Sequence, residues 1–104
     1  MSNDRLTSLK SLLEQDPNNS FVRYGLAQSL ANAGRLDEAV EQYRELLAVN
    51  PDYVAAYYHQ GQTLEKLGRT DEARSVYSDG MSACSRTGDS HTRSEIQAAL
   101  DILG

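Results

Sequence analysis

GRLDEA, at residues 34–39, returns 34 positions later as GRTDEA, at residues 68–73. Other residues recur at the same offset: Pro17 and Pro51, Gln28 and Gln62, Leu30 and Leu64, Tyr43 and Tyr77. A fixed period of a few tens of residues is typical of repeat proteins, in which each unit packs against its neighbours. The period therefore decides the architecture before any local structure is considered.

Each period contains two apolar patterns with helical spacing. The stripes that begin at Val22 and Val54 step by three and four residues, which predicts a first helix in each repeat. The stripes that begin at Leu36 and Ala73 have the same spacing and predict a second helix. Each repeat is therefore an antiparallel helix pair, and the fold class is all-α.

Local signals mark where these helices end and begin. Gly34 and Gly68 stand where each first helix stops, and glycine commonly ends a helix because it adopts the left-handed conformation without strain. The acids at residues 37–38 and 71–72 place negative charge on the positive first turn of each second helix. These signals agree with the apolar spacing.

Two partial units flank the full repeats, which span residues 20–53 and 54–87. A leucine-rich stripe at residues 4–15 ends before Pro17 and occupies the second-helix slot of an incomplete preceding repeat. Residues 89–103 carry a last amphipathic stripe and form a C-terminal capping helix. Repeat arrays need such terminal helices, because an uncovered end exposes the apolar face meant for the next repeat. The sequence predicts a single domain of about six helices.

Composition excludes several classes of function. The chain has 104 residues, 15 acidic and 10 basic side chains and a net charge of −5, which opposes binding to nucleic acid. No stretch approaches the ~18 apolar residues that a membrane span needs. The acidic residues near the N-terminus are unlike a secretory signal, so we expect a cytoplasmic protein with no membrane partner.

The sequence offers little for catalysis or metal binding. His59 and His91 have neither the spacing of a zinc site nor a nearby cluster of ligands, and His59 is interpreted as a polar surface or groove residue. Cys84 falls on an apolar stripe and is interpreted as a small buried hydrophobic residue. No glycine-rich run suits a phosphate or dinucleotide. We therefore expect no cofactor, no metal and no enzymatic activity.

The helix-turn-helix period of 34 residues resembles the tetratricopeptide repeat. In that family the second helix carries a small residue, an aromatic residue four positions later and a closing proline, as Ala39, Tyr43 and Pro51 do. Ala73 and Tyr77 hold the first two of these slots in the next repeat. The resemblance implies a right-handed α-solenoid and a non-enzymatic module that binds a peptide or helix of a partner protein.

The resemblance also implies where that partner binds. In the family, the first helices of the repeats form a concave groove, and the aligned positions repeat with the period. The predicted groove residues are Phe21, Tyr24, Gln28, Ala31 and Asn32 from one repeat and Ala55, Tyr58, Gln62, Glu65 and Lys66 from the next. Two ladders result, a tyrosine ladder and a glutamine ladder, which suit an extended segment because tyrosine offers a rigid ring and a carboxamide both donates and accepts.

Other interpretations remain open at this point. Tyrosines at helical spacing often pack between helices, and glutamines are often solvated. One branch of the family clamps C-terminal carboxylates with lysine and asparagine, but tyrosine and glutamine occupy those slots here and Lys66 is the one first-helix lysine, so we expect no such clamp. The alternative function is structural self-association, as a homodimer or as part of a longer array, through the terminal helices at residues 4–15 and 89–103.

Overall fold

The computed structural model describes the backbone of residues 2–104 and the side chains of residues 4–104. This part of the chain folds into six helices and contains no strand, which confirms the all-α helical-repeat prediction. The helices are α1 (Ser2–Gln15), α2 (Ser20–Asn32), α3 (Leu36–Val49), α4 (Val54–Lys66), α5 (Thr70–Thr87) and α6 (Ser90–Leu103).

The repeated hexapeptide forms the turn between the helices of each pair. Gly34 has a φ of +80°, and the N–H of Arg35 donates to the carbonyl of Leu30 at 2.9 Å, which closes the C-terminus of α2. Arg35 then precedes the first turn of α3, where its guanidinium pairs with Glu38. Gly68, with a φ of +75°, occupies the same position after α4. The left-handed glycines were thus predicted correctly.

The second pair departs from the period at its C-terminal end. α5 has 18 residues whereas α3 has 14, and it ends at Gly88, which has a φ of +77°. The side chain of Asp89 caps the following helix by accepting the N–H of Thr92 at 2.9 Å. Because of the longer α5, α6 starts 36 residues after α4 and not 34.

The helices form two rows. α2 packs against α1 and α3, α4 packs against α3 and α5, and α6 packs against α5. Contacts of α4 with α2 and with α6 place these three helices side by side. We call the surface of α2, α4 and α6 the first-helix face. α6 lies beside α4 in the next first-helix position and does not fold across this face.

Small residues and tyrosines form the centre of each helix pair. Ala39 and Ala73 have no exposed surface, and Tyr43 and Tyr77 are buried, at 1% and 0% exposure. A Cβ atom on Gly61 would lie 2.1 Å from the ring of Tyr77, so only glycine fits at that point of α4. Close packing of this kind tolerates added volume poorly.

The outward side of α6 is polar where the corresponding side of α4 is apolar. At the observed offset of 36, Arg93 and Gln97 take the positions that Tyr57 and Gly61 hold in α4. Both side chains are exposed, whereas Tyr57 and Gly61 are buried against α5. At these two positions α6 therefore presents polar side chains to solvent where α4 is buried.

We predict that Ala39→Leu destabilises the protein, because three extra carbons must fit where the helices of a pair approach most closely. Overpacking costs about 1–3 kcal/mol, and each kcal/mol lowers the melting temperature of a domain of this size by about 4–8 °C. Thermal unfolding followed by circular dichroism measures the change. Ala48→Leu, on the exposed side of α3, is the matched control. Equal melting temperatures for Ala39→Leu and the parent would contradict the assigned packing.

Candidate functional site

The first-helix face contains a polar hollow between α2 and α4. Its volume is about 150 Å³, and five of the predicted groove residues line it: Gln28, Ala31, Asn32, Gln62 and Lys66. Tyr43, His59 and Thr63 complete the lining. We call it the central hollow. Its walls offer carboxamides, hydroxyls, an imidazole and an ammonium group within one small volume.

A second hollow lies between α1 and α2, with a volume of about 230 Å³. Its apolar lining includes Leu9 and Leu12 of α1 and Phe21 of α2, and Phe21 is 76% exposed. Tyr24 and Gln28 also border it, together with Arg5, Val22 and Gly25. We call it the N-terminal hollow. Because Gln28 lines both hollows, they lie next to each other along α2.

An aromatic row connects the two repeats on this face. The ring of Tyr24 lies 5.7 Å from that of His59, and the ring of Tyr58 lies 5.4 Å from His59 on α4, both in edge-to-face geometry. Tyr24 also contacts Tyr43 and Tyr53. The tyrosines at the predicted ladder positions thus meet through His59, and one of them packs in part between helices.

Burial sets the protonation of His59. Loss of solvent around the imidazole lowers its pKa below the ordinary value, and the nearby carboxylate of Glu95 on α6 opposes that shift only in part. The neutral ring is therefore the form that the packed aromatic row favours. Burial also raises the pKa of Tyr24, so this phenol keeps its proton.

Tyrosine hydroxyls hold both groove glutamines. The Nε2 of Gln28 donates to the hydroxyl of Tyr24 at 3.3 Å, and the Nε2 of Gln62 donates to the hydroxyl of Tyr77 at 2.9 Å. The hydroxyl of Tyr77 in turn donates to the carboxylate of Glu65. The glutamine side chains are therefore fixed by the fold and are not freely solvated.

Charge is sparse beside the central hollow. Within the described residues 4–104, no carboxylate lies within ion-pairing distance of Lys66. The ion pairs of Arg35 with Glu38 and of Arg69 with Glu72 lie instead at the starts of α3 and α5. Lys66 is thus a single available cation beside the central hollow.

The structure places the eight principal groove predictions in different surroundings. Gln28, Asn32, Gln62 and Lys66 meet in the central hollow, and Phe21 and Tyr24 border the N-terminal hollow. Tyr58 packs against His59, and Glu65 is held by Tyr77. Of the two further positions, Ala31 lines the central hollow and Ala55 lies partly buried at the start of α4.

Sequence reasoning did not assign Leu9, Leu12 or Tyr77 to this face. The helix at residues 4–15 was considered as a cover for the first pair, whereas its leucines also line a hollow. Tyr77 was predicted as the aromatic residue of its second helix; its ring lies within the pair of α4 and α5, over Gly61, and its hydroxyl reaches the groove residues. Gly61 was the sequence feature that could have indicated this contact, because a glycine on α4 leaves room for the ring of Tyr77 to pass across the helix.

Other kinds of site find no support in the described part of the chain. Among residues 2–104, no three His, Cys, Asp or Glu side chains converge as metal ligands. Within the same residues, the helices lack the combination of length and apolar character that crossing a membrane requires.

The family model of the tetratricopeptide repeat matches residues 6–47 and 24–80. The chain therefore belongs to the tetratricopeptide repeat family, as its period and fold indicate. No curated protein matches it significantly. A protein-interaction module is the general role that this family and fold support, and nothing in either indicates catalysis.

Solved structures resemble the whole fold. A tetratricopeptide repeat domain protein from Salinibacter ruber is 35% identical, with a TM-score of 0.77, and the match covers 82% of this chain and 94% of that one. PcrH in complex with the chaperone binding region of PopD has a TM-score of 0.91 at 16% identity, covering 98% and 77% of the two chains. The TPR2B domain of yeast Sti1, in a complex with an Hsp70 peptide, has a TM-score of 0.88 at 13% identity over 94% and 78%.

The buried imidazole predicts a pH effect on stability. Because the pKa of His59 is lowered on folding, the unfolded chain takes up this proton more readily than the folded protein does. His59 therefore lowers stability as the pH falls below about 6.5, the ordinary imidazole value.

Urea unfolding at about pH 7.5 and about pH 5.5, on either side of that value, should show a smaller loss of stability for His59→Gln than for the parent. Ala98→Gln, at an exposed position of α6, changes no titratable group and is the control that should keep the parental loss. An identical loss in all three proteins would contradict the burial assigned to His59.

Proposed function

We propose that the first-helix face binds a peptide segment of a partner protein, with an apolar residue in the N-terminal hollow and polar contacts in the central hollow. The observation that carries the proposal is that the two hollows adjoin at Gln28, which lines both. An apolar anchor beside a small set of placed polar groups is the usual composition of a specific binding site.

The aromatic row suits this role. Tyrosine contributes a large contact area at a low cost in side-chain entropy, and its hydroxyl adds a polar contact. Tyr24 and Tyr58 are partly exposed on the same face, and the ring of each packs edge-to-face against His59. A surface whose aromatic groups are fixed before binding loses less entropy when the partner arrives.

Structures with the same fold support the proposal by analogy. PcrH binds the chaperone binding region of PopD, and the Sti1 domain binds an Hsp70 peptide. Two full repeats offer a short groove, so we expect one copy to bind weakly, with a dissociation constant in the micromolar range or higher, unless several copies act together. We place this interaction in the cytoplasm, with no enzymatic step.

Self-association through the terminal helices is the second candidate. The exposed Leu12 and Phe21 at the N-terminal hollow favour it, since a second copy could cover them. The polar Arg93 and Gln97 on the outward side of α6 oppose stacking at the other end. Light scattering at two protein concentrations separates the candidates, because a strict monomer excludes the homodimer.

The test of peptide binding begins with a library of random peptides displayed on phage and selected on the parent protein. The tightest selected peptide then serves as the probe in calorimetric titrations. We expect Tyr24→Ala and Tyr58→Ala each to weaken binding by about 10-fold or more, as loss of a central aromatic contact commonly does. Val49→Ala, at an exposed apolar position of α3, is the control and should bind as the parent does.

Two results would contradict the proposal. One is a selection that yields no peptide whose binding shifts the amide resonances of α2 and α4. The other is a selected peptide whose affinity is the same for Tyr24→Ala, Tyr58→Ala and the parent, because binding would then lie outside this face.

A further inference from the structure

The second repeat contains a hydrogen-bonded chain that joins α5 to the first-helix face. The hydroxyl of Tyr77 donates to the carboxylate of Glu65 and accepts an N–H from Gln62, whose Nε2 lies 2.9 Å away. Glu65 and Gln62 both belong to α4, three residues apart. These hydrogen bonds therefore connect two groove residues, Gln62 and Glu65, through one buried tyrosine.

The order of these bonds fixes the orientation of the carboxamide. A phenol hydroxyl can donate one hydrogen bond, and here it donates to the carboxylate of Glu65. The hydroxyl can then only accept from Gln62, so the amide nitrogen must face Tyr77. The carboxamide oxygen is left free, since no donor within residues 4–104 bonds to it. Gln62 thus offers an acceptor at the central hollow.

Packing holds the tyrosine where this chain needs it. A Cβ atom on Gly61 would lie 2.1 Å from Cε1 and 2.5 Å from Cζ of Tyr77, so the ring crosses α4 directly over the glycine. The ring is fully buried, and burial together with the neighbouring Glu65 raises the pKa of the phenol. Tyr77 therefore stays protonated and keeps donating to Glu65.

The first repeat folds without this arrangement. Ala27 takes the place of Gly61, Ala31 takes the place of Glu65, and Gln28 bonds instead to Tyr24 on its own helix. Tyr43 occupies the slot of Tyr77 and is equally buried. An equivalent helix pair forms without these hydrogen bonds, so the fold does not require them.

We propose that Tyr77 and Glu65 are positioning residues that aim the carboxamide oxygen of Gln62 at the partner, where it accepts a main-chain N–H from a peptide bound in an extended conformation. The inference rests on the proposed function of the first-helix face. It specifies the partner's conformation, because the N–H groups inside a helix are already bonded and have no proton to offer.

The first experiment uses the peptide selected on the parent protein. Tyr77→Phe removes the hydroxyl, leaves the ring in place and frees the carboxamide to rotate. We expect affinity to fall about 3- to 10-fold, the effect of one hydrogen bond. Tyr57→Phe is the matched control, because it removes a hydroxyl bonded to the carbonyl of Pro51 at 2.6 Å, outside both hollows, and should leave affinity unchanged.

The second experiment tests the bond itself and separates positioning from a loss of stability. Each main-chain N–H of the peptide is replaced in turn by N-methyl. At one position N-methylation should weaken binding to the parent but add little to the loss in Gln62→Leu, because both changes remove the same hydrogen bond. Tyr57→Phe should retain the full N-methyl effect.

Each outcome has one meaning. Failure to select any peptide that binds the first-helix face overturns the proposed function and the inference together. A face-binding peptide with equal affinity for Tyr77→Phe and the parent, or with N-methyl effects that add fully to Gln62→Leu, overturns the inference alone. A peptide that is helical when bound, as seen in transferred nuclear Overhauser effects, also overturns it.

Discussion

The close approach of the two helices within each pair is the constraint on which the structure depends. Ala39 and Ala73 present only a methyl group at the contact, and Gly61 presents none, so the backbones come near enough for the next pair to stack in the same way. The space left by these small residues is filled by the buried rings of Tyr43 and Tyr77. The repetition of small and aromatic residues at one period therefore creates both the core and the regular row of first helices.

The 34-residue period allowed the fold to be predicted from the sequence, whereas the candidate site could be predicted only in part. Helix spacing and the left-handed Gly34 are local or periodic properties, and these were predicted correctly. The last helix was predicted at residues 89–103, and α6 spans Ser90–Leu103. The orientation of Gln62 was not predicted, because it depends on Tyr77, which lies on another helix and meets Gln62 only through tertiary packing.

The two ends of the proposed binding path differ in chemistry because the residues that line them differ. Leu9 and Leu12 of α1 lie beside Phe21 and make the N-terminal hollow apolar. Between α2 and α4 the amides of Gln28 and Gln62 make the central hollow polar. A peptide bound as proposed would therefore have an apolar contact at one end and hydrogen-bonding groups at the other, which distinguishes the two directions in which it could lie.

Charge has a small part in the proposed binding mode, although the chain carries a net charge of −5. Acids such as Glu38 and Glu72 are paired with arginines at the starts of the second helices, away from the two hollows. Lys66 is the cation among the residues that line the central hollow, and Glu65, next to it on α4, is already bonded to Tyr77. Hydrogen bonds and aromatic contacts, unlike exposed ion pairs, are weakened little by salt. In the proposed binding mode, selectivity therefore comes from the shape of the hollows and the fixed direction of the glutamine amides.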